Sequence, residues 1–146
     1  MERAKATSLI REAKRNKKLS WEEIAAHVGG HPVWVASALL GQNSMTAEQA
    51  EKAVTLLELP GEVAEALQEC PMKGTEVIVP TDPLIYRFYE IMQVYGGTIK
   101  EIIHEKFGDG IMSAIDFTMD IQKEENPHGD RVVVTLNGKF LPYKKW

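Results

Sequence analysis

The chain is short of several things, and each shortage excludes a class of protein. Cys70 is the single cysteine in 146 residues, so no disulfide can form within the chain and a reducing, cytoplasmic compartment is the expectation. It precedes Pro71 with no histidine beside it, the setting of an ordinary thiol rather than a nucleophile. No apolar run is long enough for a membrane span. The basic N-terminus MERAKATSLIREAKRNKK is not followed by the apolar segment of a signal peptide, so export is not expected either. His27, His31, His104 and His128 show no ligand spacing. His104-Glu105 opens like a zinc-protease helix, but Gly108 stands where the second ligand would be, and no metal is expected.

Positive charge is scarce in one stretch. Residues 20–70 hold one basic residue, Lys52, against eight glutamates, a net charge of −7, whereas residues 1–18 hold seven Lys or Arg against two glutamates, a net of +5. Overall the balance is −4, with 44% hydrophobic and 26% charged residues. That is the composition of a folded, soluble chain with room for one ordinary domain or two small ones.

Helix signals fill the first half. Residues 3–17 have Ala4, Leu9, Ile10 and Ala13 available for burial. Ser20 with Glu23 forms a capping box for a helix over 21–28, closed by Gly29-Gly30, and Pro32 starts another that reaches Leu40. Thr46 with Gln49 caps a fourth, and Pro60-Gly61 opens a fifth that ends near Cys70. The reading is an all-α bundle of five helices whose second and third resemble a helix-turn-helix. A DNA-binding regulator is therefore the rival function, and charge argues against it. Duplex affinity comes largely from Lys and Arg on phosphates, and the would-be recognition helix HPVWVASALL offers no Arg, Lys, Asn or Gln to a base edge. Trp34 and Val33 suit packing against protein. No nucleic-acid or membrane partner is expected, and the basic first helix reads as a solvated face that could meet an acidic bundle.

Residues 72–80, with Gly74 between Pro71 and Pro80, read as a linker, placing domains at 1–72 and 73–146. Asp82-Pro83 then starts a helix whose apolar residues Leu84, Ile85, Phe88, Ile91, Met92 and Tyr95 form a stripe expected to be buried, with Gly96-Gly97 as its stop. Thr98 with Glu101 would cap a second helix to Phe107, ended by Gly108-Asp109-Gly110. Period-two alternation over 115–122 marks a strand, a polar turn over 126–130 leads to a second over 131–136, and Asn137-Gly138 signals a hairpin into a third over 139–143. The fold class is thus α+β, with a small C-terminal α+β domain of antiparallel strands. So few elements make a poor core for a lone chain, and a partner chain should complete it.

Arg87 and Glu90 lie off the apolar stripe, three residues apart, where they can touch. With Ser113 between Ile111, Met112 and Ala114 they suggest a small-anion site, because guanidinium is a permanent charge with five donors in a planar fork. On spacing alone a solvated surface pair and a turn serine fit as well.

The run PTDPxxYRFYExxQVYG over residues 80–96, followed by HEKFGDGIxSAIxF over 104–117, resembles the C-terminal domain of the cyanase (cyanate hydratase, cyanate lyase) family. ALLGQ at 38–42 and NGKFLP at 137–142 are similar to further family segments. The resemblance implies catalytic roles for Arg87, Glu90 and Ser113, cyanate and bicarbonate as substrates, and no cofactor or metal beyond bicarbonate as co-substrate. It also implies interlaced dimers assembled into a homodecamer with active sites at subunit interfaces. An inactive assembly protein that keeps the fold is the second alternative, and the retention of all three residue types counts against it.

Overall fold

A computed structural model of the chain describes residues 1–74 and 78–146. The expected linker therefore lies partly outside the described residues. The chain divides into two compact units, Met1–Gly74 and Thr75–Trp146. Among the described residues there are six helices and one two-stranded antiparallel sheet, an α+β fold, and no helix is long and apolar enough to cross a membrane.

The first unit contains α1 (Arg3–Lys17), α2 (Trp21–Val28), α3 (Pro32–Leu39), α4 (Ala47–Leu57) and α5 (Gly61–Gln68). Both capping boxes form. Glu23 N–H donates to Ser20 Oγ at 3.1 Å while Ser20 N–H donates to the Glu23 carboxylate at 2.7 Å, and Thr46 with Gln49 closes the same circuit on α4, which satisfies N–H groups that a helix start otherwise leaves open. Those bonds hold the exposed Glu23 carboxyl below the ordinary Glu value, the Ser20 backbone N–H contributing most. Ile10, Ile24, Val28, Val35, Leu39, Val63 and Leu67 are the largest fully buried side chains, one contiguous apolar cluster. Arg3 ties its edge together. Its guanidinium donates to the carbonyls of Ala66, of Ala38 at 2.9 Å and of Asn43 at 2.6 Å, joining α1 to the ends of α3 and α5, and burial pushes its pKa down.

The second unit departs from the expected order of elements. Two helices were expected over 83–95 and 98–107. Instead α6 (Pro83–Phe107) runs unbroken for 25 residues through Gly96-Gly97. Two glycines cost a helix about 2 kcal/mol relative to alanine. Stopping there would instead orphan up to four carbonyls and four N–H groups, of which a Thr98 cap recovers few. Asp82 does cap the start, accepting from Leu84 and Ile85 N–H, both at 3.0 Å.

Three strands were expected, and there are two: β1 (Gly110–Glu124) and β2 (Arg131–Pro142). They join through the polar turn, where His128 N–H donates to Asn126 Oδ1 at 2.9 Å and Gly129 has φ 119°. Asn137-Gly138 is not a hairpin. Both residues sit inside β2, paired with Thr118 and Phe117, and Gly138 lacks the positive φ that such a turn requires.

The stripe on α6 is not buried either: no residue of that helix is. Leu84, Ile85, Phe88, Ile91, Met92 and Tyr95 are all exposed, as are Ile111, Ile115 and Ile121 of β1. Among the described residues every buried member of the apolar core belongs to the first unit.

Candidate active site

Arg87 and Glu90 both project from the first half of α6, and they touch: Arg87 Nη1 donates to Glu90 Oε2 at 2.6 Å. The side chains are 67% and 40% exposed. An exposed pair like this contributes little to stability. It does fix one edge of the guanidinium, leaving the remaining donors of the fork for another acceptor.

Ser113 has the opposite environment. It is 7% exposed, the one buried polar side chain among the described residues. The register of the sheet explains why. Met112 pairs with Phe140 and Phe117 with Gly138, so the four residues 113–116 of β1 face the single residue Lys139, a large bulge of the kind that re-aims a side chain. Ser113 Oγ fills it, accepting from Ile115 N–H at 3.1 Å and Asp116 N–H at 2.9 Å. A hydroxyl has two lone pairs and one proton. With both lone pairs engaged by backbone N–H groups, the proton is what Ser113 has left to offer, which makes it a donor suited to an anion.

The continuity of α6 decides how these groups relate. Arg87 precedes Phe107 by 20 residues on one helix, about 30 Å at 1.5 Å per residue. Phe107 stacks on Phe140 with ring centroids 5.2 Å apart, and Phe140 pairs with Met112, next to Ser113. At the same end His104 Nε2 lies 3.2 Å from Gly110 O. The Arg87/Glu90 pair and Ser113 therefore lie toward opposite ends of α6, and no hydrogen bond or ion pair joins them among the described residues. Two short helices could have folded back to bring them together. One long helix cannot.

Sequence reasoning singled out all three side chains as candidates but assigned Gly138 to a turn and missed the bulge opposite it. A bulge of this size has no local signature, because Ser113 and Ala114 read as a short connecting segment and Ile115-Asp116 as the start of an ordinary strand, and only the pairing with β2 exposes the extra residues. Among the described residues no three His, Cys, Asp or Glu side chains gather as metal ligands do, and Cys70 is a free, exposed thiol.

The comparisons cover both units. Residues 3–71 match the family model described as cyanate hydratase, N-terminal, and residues 77–145 match the cyanate lyase C-terminal domain. The chain is 60% identical over 146 residues to a cyanate hydratase of Teredinibacter turnerae, covering 100% of both chains, and 57% identical, again over 100% of both, to one of Marinomonas sp.. A crystal structure of cyanase from T. urticae superposes with a TM-score of 0.84 at 42% identity, over 94% of this chain and 96% of that one. Two family models that between them span nearly the whole chain, relatives matched from end to end and a shared fold lead to one conclusion: the chain belongs to the cyanate hydratase (cyanate lyase) family.

Proposed function

We propose that the chain is a cyanate hydratase that decomposes cyanate with bicarbonate as second substrate. The observation that carries this is the end-to-end match to cyanate hydratases, 60% identical with full coverage of both chains. The geometry supports the roles assigned to the three residues. A bicarbonate oxygen attacks the cyanate carbon, forming a C–O bond and a dianionic mixed anhydride. Cleavage of the bond between the bridging oxygen and the former bicarbonate carbon releases carbon dioxide. With one proton from solvent this leaves carbamate, which takes up a second proton and falls apart to ammonia and another carbon dioxide. No redox change occurs, and no metal or organic cofactor enters the scheme.

The difficulty is electrostatic, since two anions must meet and their charge must be concentrated. Fixed positive charge and preoriented donors aimed at the developing dianion are the remedy. Arg87 supplies the charge in a planar fork, Glu90 orients the guanidinium and balances it between turnovers, and the Ser113 hydroxyl donates a hydrogen bond to a substrate atom. At a net charge of −4 the protein does not draw in anions as a whole, so binding rests on this local arrangement.

The span of about 30 Å from Arg87 to Phe107, at the end of α6 from which β1 follows, supports a site that one copy does not complete. In the proposed assembly Ser113 of one subunit meets the Arg87/Glu90 pair of another. Interlaced dimers built into a decamer would cover the exposed apolar faces of α6 and β1 and dry the site, strengthening the charge interactions that water weakens. Cytoplasmic residence fits the lone free thiol. The acidic stretch over 20–70 and the bare α3 weigh against a regulator that binds duplex DNA.

The test is ammonia release from cyanate, measured with and without added bicarbonate. The rate should saturate in both anions and be inhibited by an excess of either. Equal rates in carefully bicarbonate-free buffer would refute the chemistry.

A further inference from the structure

Gly138 is the residue that the hairpin reading misassigned, and its surroundings give it another purpose. A Cβ built on Gly138 would lie 2.5 Å from the Ser113 carbonyl oxygen, 2.5 Å from Met112 Cγ and 3.1 Å from Met112 Sδ. Side-chain atoms of Met112 can swing aside. The carbonyl of Ser113 is backbone and cannot move without moving the residue. Any side chain at 138 therefore pushes β1 away from β2 at the bulge where Ser113 Oγ is held by the Ile115 and Asp116 N–H groups. At this close approach residues 113–116 bulge opposite Lys139 and Ser113 is buried.

We propose that Gly138 is a positioning residue for Ser113: its missing side chain sets how closely β2 approaches the bulge, and that approach fixes the direction in which the Ser113 hydroxyl donates. This rests on the proposed catalytic role of Ser113. It adds that the role depends on the glycine across the strand pair, with the Ser113 oxygen anchored from one side by the Asp116 N–H and the Ser113 carbonyl set from the other by Gly138.

The test is a double-mutant cycle on the full-length, assembled protein, with kcat and KM for cyanate and bicarbonate measured for wild type, Gly138→Ala, Ser113→Ala and the double variant. A displacement near 1 Å in a reacting group can cost about 10²-fold, so Gly138→Ala should lower kcat/KM by at least about tenfold. In the Ser113→Ala background, where no hydroxyl is left to misplace, the same substitution should change it by less than about twofold, the non-additivity that marks two residues acting as one. Equal losses in both backgrounds would show that Gly138 serves the fold alone and would overturn the proposal. So would wild-type activity in Gly138→Ala. If Ser113→Ala itself keeps wild-type activity, the catalytic role of Ser113 falls and positioning falls with it, an outcome distinct from the first two. Should Gly138→Ala fail to assemble, Asp116→Pro takes its place. It removes the N–H that anchors Ser113 Oγ at 2.9 Å, at a bulge, where proline is tolerated. A loss confined to the background that retains Ser113 supports the positioning bulge, and an equal loss in both refutes it.

Discussion

The two units of this chain solve opposite problems. Residues 1–74 bury Ile10, Ile24, Val35, Leu39 and Leu67 within a single copy. In the second unit no residue of α6 is fully buried, and Ile115 of β1 is 98% exposed. The second unit nevertheless holds all three candidate site residues. The unit with the core has no proposed chemistry, and the one with the proposed chemistry has no core of its own. Exposed apolar surface on that scale marks an interface, and in the proposed assembly the site and the missing core would be completed by the same event, the arrival of other copies.

The largest effect that would sharpen this contrast is Arg87→Lys. One positive charge is kept, but a planar fork becomes a flexible, strongly hydrated ammonium. Loss of a preorganised donor at such a site costs about 10²–10³ in rate, and ammonia release should fall at least that far. Oligomeric state should not change, because Arg87 is 67% exposed and both residues favour helix. An assembled variant that keeps more than about a third of wild-type activity, far above that loss, would remove Arg87 from the mechanism.

Dilution should separate the units next. Hydrogen exchange followed as the protein is diluted should show α6, β1 and β2 losing protection by at least about tenfold as assembly is lost, since folding that depends on association follows mass action. The buried turns of α1 to α5 should hold theirs. Uniform protection in both units at every concentration would break the comparison.

Trimming one methylene from each unit gives a smaller effect. Ile24→Val removes it from a fully buried position and should cost the helical unit about 0.5–1.5 kcal/mol in thermal unfolding without shifting oligomer dissociation. Ile115→Val should do the reverse, weakening association and leaving the first unit untouched. Identical responses would argue against two independent solutions.

The smallest effect concerns pH. The capping bonds hold Glu23 below the ordinary value of 4.5, and ion pairs with Lys52 and Lys17 do the same for Glu48 and Glu58, the hydrogen bond contributing most in each. A carboxyl with a lowered pKa in the folded state contributes stability that is fully present above its unfolded value of about 4.5 and is lost as pH falls through the lowered one. The melting temperature of the helical unit should therefore hold above that value and decline beneath it. Ser20→Ala, which should cost about 1 kcal/mol at neutral pH, should flatten part of that decline.

Much of this was legible in the sequence, for reasons that are local. Ser20 with Glu23, Thr46 with Gln49, and Asp82 before Pro83 mark helix starts because each side chain bonds N–H groups only two or three residues away. Arg87 and Glu90 meet because three residues of helix put them on neighbouring points of one flank. What the sequence could not decide was everything settled by a comparison of distant alternatives. Gly96-Gly97 reads as a stop, yet ending α6 there would strand more backbone groups than two glycines cost. Asn137-Gly138 reads as a turn, yet the glycine is required because a strand more than twenty residues away presses its backbone against it. Local bonding rules act over a few residues and can be read directly from the chain, whereas helix continuity, strand register and the burial of Ser113 depend on which distant backbone arrives beside them.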